Sequence, residues 1–354
     1  MTASASPPTP SLHQTETDLP MRTVLLLTLL LTPFLSAFSQ NMPADSVAIT
    51  PDHYRVYTAD GTPATLEDVF AAMDTVDVVF VGEEHNDPVA HFLQKRLLEE
   101  AYARYGATRP VALSLEQFAR DAQLVLDEYL AGLITEKAFR AESRPWKNYE
   151  TDYRPLVEFA RAHGLDVIAA NAPRRYVNRV TRLGPASLDS LSDRAKAYLP
   201  PLPYAPATPA YKAKWDSLMA ASMAEMAAMR DTARHAMPAD TAHAAGKPAA
   251  PMHAPSGHML DAQSLWDASM AYSVADYLTR HPGALVLHMV GGFHVEKGVG
   301  TPDHLRRYRP GVRILNVAVR PSEDLHSFDA KKYAGLGDFV ILTDESLPRT
   351  FESM

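Results

Sequence analysis

Residues 76–85 read V-D-V-V-F-V-G-E-E-H, and this stretch decides the fold. Val76, Val78, Val79, Phe80 and Val81 form an apolar run broken only by Asp77. β-branched crowding favours a strand, and the near-continuous run predicts burial on both faces, as in a parallel sheet. Gly82 ends the run, and Glu83, Glu84, His85, Asn86 and Asp87 follow at once. Pro88 fixes φ, and a helical pattern covers residues 89–105. The polar cluster therefore falls in a strand-to-helix loop, at the carboxyl end of a strand. Open α/β sheets bind ligands outside those ends.

Three later stretches repeat this grammar. Residues 110–115 lead to Glu116, residues 165–170 lead to Asn171, and residues 284–290 lead to Gly291-Gly292-Phe293-His294. Two of the turns read Gly-x-x-His, from Gly82 to His85 and from Gly291 to His294. A loop glycine permits a tight turn, so the following imidazole can point back over the sheet edge. The expected fold is α/β: a central, mostly parallel sheet flanked by helices, with a helical insertion. If the four strands are neighbours, Glu83, His85, Glu116, Asn171 and His294 gather along one rim. Polar residues are common in such loops, but recurring glycine plus histidine, joined by two carboxylates, points to a site.

The bulk numbers bound the rest. A chain of 354 residues, 46% hydrophobic, fits one large domain with an insertion. The net charge is −8, with no broad basic field, so nucleic acid is not an expected partner. With no cysteine, thiolate zinc sites, Fe–S clusters, a cysteine nucleophile, disulfides and a lipidated cysteine are excluded.

Residues 1–20 are polar, whereas Met21-Arg22, the apolar run 24–31 and the small-x-small pair Ala37 and Ser39 have the form of an export signal. The expected organisation is an extension and signal peptide over 1–39 (the signal at about 21–39), a segment 40–64, a domain 65–320 and a C-terminal segment 321–354. A periplasmic or secreted location follows. Thr65 is a candidate N-cap for a helix over 66–73. His91, inside the helix after Pro88, is expected on the surface.

Residues 146–153, W-K-N-Y-E-T-D-Y, are aromatic, polar and non-periodic. They read as an ordered loop, with Trp146, Tyr149 and Tyr153 serving either as a core plug or as a pocket wall. After Asn171, Arg174 is placed to hold a carboxylate. Within the insertion, residues 199–260, a helix is expected over 210–234, its Met219, Met223, Met226 and Met229 forming a packing stripe. Residues 235–258 are mostly Ala, Pro, Met and His and cannot bury a core.

Taken together, G-E-E-H-N-D, S-L-E-Q-F, W-K-N-Y-x-x-D-Y, A-A-N-A-P-R-R, A-Q-S-L-W-D-A-S-M-A and G-G-F-H-V resemble the ChaN family of bacterial haem-binding uptake proteins, kin to the Tiki proteases and erythromycin esterases. The likeness covers about residues 65–320, with six motifs in order. It implies an α/β fold with added helices, a role in haem or iron uptake outside the cytoplasm, and haem held between two subunits of a homodimer. Characterised members are lipoproteins; this chain lacks the cysteine such an anchor uses, which leaves peripheral envelope association as the membrane partner. The Tiki branch implies a divalent metal, Zn²⁺ or Mn²⁺, on His85, Glu116 and His294. The esterase branch implies water activation by Glu83 and His85.

The residue chemistry admits each alternative. Two imidazoles and two carboxylates at one rim suit N/O metal ligation, and Glu83 beside His85 suits general-base catalysis. Haem needs an axial tyrosine or histidine and apolar walls. With 15 tyrosines and 14 histidines, Tyr204, Tyr211 and His258 are added to the rim residues as cofactor-binding candidates. The expected function is an exported haem- or iron-chelate-binding protein; the competing one is a hydrolase using the same rim.

Overall fold

The computed structural model describes residues 48–236 and 257–351. Their strands form one sheet: β1 (Tyr54–Thr58), β2 (Pro63–Ala64), β3 (Val78–Glu83), β4 (Val111–Ala119), β5 (Asp166–Asn171), β6 (Leu285–Gly291), β7 (Ile314–Ser322) and β8 (Phe339–Asp344). The spatial order is β2-β1-β8-β7-β3-β6-β4-β5. β8 through β5 run parallel, while β1 lies antiparallel to both β2 and β8. The valine run is thus central. Its period-two alternation splits it between two cores. Val79 and Val81 enter one, Val78 and Phe80 the other, and all four are fully buried. Segments 40–64 and 321–354 contribute β1, β2 and β8 to the same sheet.

Helices cover both faces. α1 (Leu66–Ala72), α2 (Pro88–Tyr105), α3 (Gln123–Leu130), α4 (Glu136–Ser143) and α5 (Arg154–His163) supply the first core with residues such as Phe70, Leu93, Leu126, Phe139 and Leu156. α6 (Arg174–Leu183), α7 (Asp193–Lys196), α8 (Pro209–Ala236), α9 (Met259–Arg280), α10 (Thr301–Tyr308) and α11 (Ala330–Tyr333) complete the described α-helices. α9 and α10 cover the second face through Met270, Val274, Leu278 and Leu305. Thr65 caps α1 in a reciprocal box with Asp68.

Three sequence expectations change. Residues 149–153 form a π-helical turn rather than a loop, with the Arg154 N–H bonded to the Tyr149 carbonyl. Such single π turns recur at functional sites. The methionine stripe is not packed: Met223, Met226 and Met229 are exposed. The first turns of α8 pack through the Tyr211 and Trp215 rings against Phe293 and a Lys214 Nζ hydrogen bond to the Phe293 carbonyl at 2.6 Å. His91 is buried, not on the surface. The expected signal peptide, and the Ala/Pro/Met/His run within 237–256, lie outside the described residues.

Gly82 shows why the first turn needs glycine. A Cβ there would sit 2.8 Å from Val295 Cγ2 and 3.1 Å from Gly292 Cα. The end of β3 and the turn after β6 meet backbone to backbone, which sets the distance between the two histidine turns. Gly82→Ala is expected to cost about 1–3 kcal/mol by overpacking. That appears as a lower urea midpoint, whereas Leu124→Ala, at an exposed position, stays within about 0.5 kcal/mol. Equal midpoints for Gly82→Ala and the parent chain would contradict this packing.

Candidate functional site

The rim follows from strand register. β3, β6, β4 and β5 are consecutive parallel neighbours, with Glu83 opposite Gly291 and Leu115 opposite both Met289 and Ala169. The β4–β5 register shifts between Leu115 and Ala119, and the irregularity contains Glu116. The loops carrying Glu83, His85, Glu116, Asn171 and His294 therefore emerge side by side. His85 and His294 approach across Gly291. A Cβ on Gly291 would lie 2.9 Å from His85 Cε1, 3.0 Å from His85 Nε2 and 3.6 Å from Glu116 Oε2. A side chain at Gly291 would displace the His85 ring.

Glu83 is the buried anion of the first half. Tyr153 Oη donates to it at 2.6 Å, Gln94 Nε2 donates to its other oxygen, and His85 Nδ1 and His91 Nδ1 lie 3.0 and 3.2 Å away. Burial raises the Glu83 pKa, but the two imidazoles outweigh it and hold the carboxyl at about 2. Burial opposes protonation of His85, yet the Glu83 hydrogen bond and the Glu116 charge leave its pKa raised. His91 is bridged between Glu83 and Asp152, 3.3 Å from Nε2, and its pKa is raised well above 6.5 against a large burial penalty. Burial beside Glu83 pushes the Tyr153 phenol well above its usual range. Asp152 also accepts from Asn148 Nδ2 at 2.7 Å and Thr350 Oγ1 at 2.8 Å, tying the C-terminal segment to the site.

The second half centres on His294. Asp267 Oδ1 holds its Nδ1 at 2.8 Å and also accepts from Thr301 Oγ1 at 2.8 Å. Its Nε2 faces Gln263 Nε2 at 3.2 Å and Glu116 Oε1 at 3.7 Å. Burial would lower the His294 pKa, but Asp267 and Glu116 raise it. Glu116 also accepts the Gly291 N–H at 2.7 Å. Below, burial and the His294 charge push His288 down to about 3, so that ring is neutral. Its Nδ1 meets Ser114 Oγ at 2.8 Å.

The other predicted residues divide. Trp146 packs edge-on against His85 at 4.8 Å, making one wall of the rim. Asn171 donates to the Glu116 carbonyl at 3.1 Å and so positions that loop. Tyr149 is a core plug among Phe118 and Phe139. Arg174 is exposed on the first turn of α6. Tyr211 is buried beside Asp267, whose charge adds to burial in raising its pKa. Tyr204 donates to the Asp261 carbonyl at 2.9 Å, and His258 meets Asp261 Oδ2 at 2.8 Å, so both serve the start of α9.

Sequence reasoning missed Asp267, Gln263, His91 and Gln94. A signal existed: Gln263 and Asp267 are four apart and His91 and Gln94 three apart, so each pair shares a helix face. Among the described residues, no group of three or more His, Asp or Glu side chains is arranged to hold a metal ion. His85, Glu116 and His294 approach one another, but Glu116 Oε2 accepts from the Gly291 N–H and the two His294 nitrogens face Asp267 and Gln263.

The ionisation states set the pH response. A histidine with a raised folded pKa stabilises fully below the unfolded value of 6.5 and loses that contribution as pH rises through the folded value. Glu83 acts on the acid side, its contribution fading as pH falls from 4.5 toward about 2. His91→Gln is expected to flatten the fall of the thermal midpoint above pH about 6.5, His85 and His294 retaining part of it. Superimposable alkaline slopes for variant and parent would contradict the buried ion bridge.

Comparison with known proteins adds the following. A family model described as haem-binding uptake, Tiki superfamily, ChaN matches residues 69–305. The solved structure of ChaN of Campylobacter jejuni, described as cofacial haem binding, aligns at TM-score 0.54 with 16% identity, covering 83% of this chain and 98% of that one. A Bacillus cereus protein aligns at TM-score 0.43 with 14% identity over 83% of this chain and 95% of its own. An erythromycin esterase, EreC in its open conformation, aligns at TM-score 0.41 with 12% identity over 77% of each chain. No curated protein matches the chain. With two thirds of its length inside the family model, and that span containing both histidine turns, the chain belongs to the ChaN family of haem-binding uptake proteins in the Tiki superfamily.

Proposed function

We propose that this chain binds haem or an iron chelate at the rim, with His85 meeting the iron. The observation that carries this is the state of the His85 ring. Nδ1 is held by the buried Glu83 carboxylate at 3.0 Å, while Nε2 has no hydrogen-bond partner among the described residues, and the side chain is 37% exposed. A carboxylate on one imidazole nitrogen fixes the ring and raises the basicity of the other, the usual support for a metal-ligating histidine. Trp146 offers a flat apolar face beside it. Tyr149, Tyr153 and Tyr211 are no more than 2% exposed, which leaves them poorly placed to reach a porphyrin. The donor set therefore fits haem through one histidine and one aromatic wall. Bound iron would supply the redox or transport chemistry; Glu83 and Tyr153 would orient His85, and Glu116 would set the local charge.

A second reading rests on the same atoms. Glu83 with His85, and Asp267 with His294, are carboxylate–imidazole pairs of the kind that activate water. In that reading His85 Nε2 is the base and His294 the acid. The family supports the haem reading over this one.

The discriminating experiment is a haem titration followed by absorbance. The parent chain is expected to give a stoichiometric Soret shift, weakened at least about tenfold in His85→Ala and less in Glu83→Gln, since one lost ligand or orienting carboxylate is worth about 10–100-fold. Unchanged titrations in His85→Ala would contradict the assignment. Ester hydrolysis lost in the same variant, with no Soret shift in the parent, would favour the hydrolase.

We further propose export, with cleavage before Gln40, and a homodimer that associates peripherally with the envelope. The apolar run 24–31 and the Ala37-x-Ser39 pair support the first; the second rests on the resemblance to the ChaN family alone. Mass spectrometry of the chain recovered outside the cytoplasm is expected to show an N-terminus at Gln40. Recovery there with residues 25–31 intact would contradict cleavage.

A further inference from the structure

Away from the rim, the free edge of β5 is closed by a side chain instead of a strand. Gln123 Nε2 donates to the Val167 carbonyl at 2.8 Å, and its Oε1 accepts from the Ala169 N–H at 2.7 Å. Beside this edge lies a cavity of about 420 Å³, walled by β5, α3 and α9, with Arg120, Tyr198, Ser273 and Tyr277 in its lining. A second cavity of about 420 Å³, walled by Lys196, Leu199 and Tyr272, also takes Arg120 into its wall. None of the rim carboxylates or imidazoles lines either one.

Arg120 is the charged residue that both cavities share, and no carboxylate pairs with it directly, the Asp276 charge acting on it from farther off. Nη1 donates to Ser273 Oγ at 2.6 Å, and the Tyr272 ring lies 5.1 Å from the guanidinium carbon. Nε is buried without an acceptor. No carboxylate among the described residues forms an ion pair with it, and the acids of the cavity wall are otherwise engaged. Asp166 accepts from Tyr277 Oη at 2.8 Å, Asp127 from Gln123 at 2.7 Å, and Asp276 pairs with Arg280 at 3.2 Å. Burial lowers the Arg120 pKa, the sign of a cation held in a poorly solvated place. A buried charge without a partner is costly, and structures that keep one generally supply its counter-ion.

We propose that Arg120 anchors a second binding site, for a small-molecule carboxylate lying in the β5-edge cavity. The Nε/Nη2 edge of the guanidinium bears no protein acceptor among the described residues, and because Nε is buried a carboxylate reaches it only by shifting its neighbours. That edge presents two parallel N–H donors, the fork that matches the two oxygens of a carboxylate. Ser273 on Nη1 and the Tyr272 ring fix the plane of the fork. The cavity volume is in the range of small-ligand pockets, and Tyr198 and Tyr277 offer aromatic surface to the remainder of the molecule. Inorganic phosphate shares the oxyanion chemistry but not the planar two-oxygen match, so it is the control.

The test is calorimetric titration of the full chain at low ionic strength with acetate, succinate and inorganic phosphate. Succinate is expected to bind, at least tenfold more weakly in Arg120→Gln and to an intermediate degree in Arg120→Lys, which keeps the charge without the fork. In the parent chain, succinate is expected to slow phenylglyoxal modification of Arg120, read by peptide mass spectrometry, a measurement that needs no variant to fold. Absence of succinate binding to the parent, equal binding by Arg120→Gln, or unprotected Arg120 would overturn the site. Tighter binding of phosphate than of either carboxylate would overturn the carboxylate assignment.

Discussion

The structure of the rim depends on one buried carboxylate. Glu83 ends a fully buried parallel strand, where water cannot solvate its charge. It is tolerable only because Tyr153, Gln94, His85 and His91 converge on its two oxygens. Those four partners come from the π turn, from α2 twice and from the loop between β3 and α2. Satisfying one anion therefore fixes three elements relative to one another. The same clamp leaves the other nitrogen of His85 without a hydrogen-bond partner among the described residues, on a side chain that is partly exposed.

The second half of the site repeats the device. Asp267 on α9 orients His294, as Glu83 orients His85. Glu116 stands between the halves, bonded to the Gly291 N–H and facing His294. Two glycine positions let the halves meet. Gly82 brings the turn after β6 against β3, and Gly291 gives the His85 ring its place. Charge is distributed so that every buried acid in this cluster faces an imidazole, a phenol, a hydroxyl or an amide donor.

Much of this was legible in the sequence, for physical reasons. A near-continuous valine run favours a strand buried on both faces, and four such runs ending in polar turns predict one rim at their carboxyl ends. The rim residues Glu83, His85, Glu116, Asn171 and His294 do stand together. The helical contributors were not legible at the same level. His91 lies next to the apolar stripe of α2 and reads as surface unless its partner Glu83 is known to lie beneath it. Asp267 reads as an ordinary helix acid until His294 is folded against it. The methionine stripe of α8 has the spacing of a packing face, but packing requires an opposing surface, and Met223, Met226 and Met229 are exposed. Local pattern records what a residue offers; long-range pairing determines which offers are taken up.

Loops far apart in sequence place acidic and imidazole groups within electrostatic reach in one site. NMR titration of the His85 ring measures this directly, comparing the parent chain with Glu116→Gln. A His85 pKa above 6.5 is expected in the parent, because Glu83 and Glu116 outweigh its burial, and a lower value once the Glu116 charge is removed. A His85 titration that is indifferent to Glu116 would contradict the convergence on which the site is built.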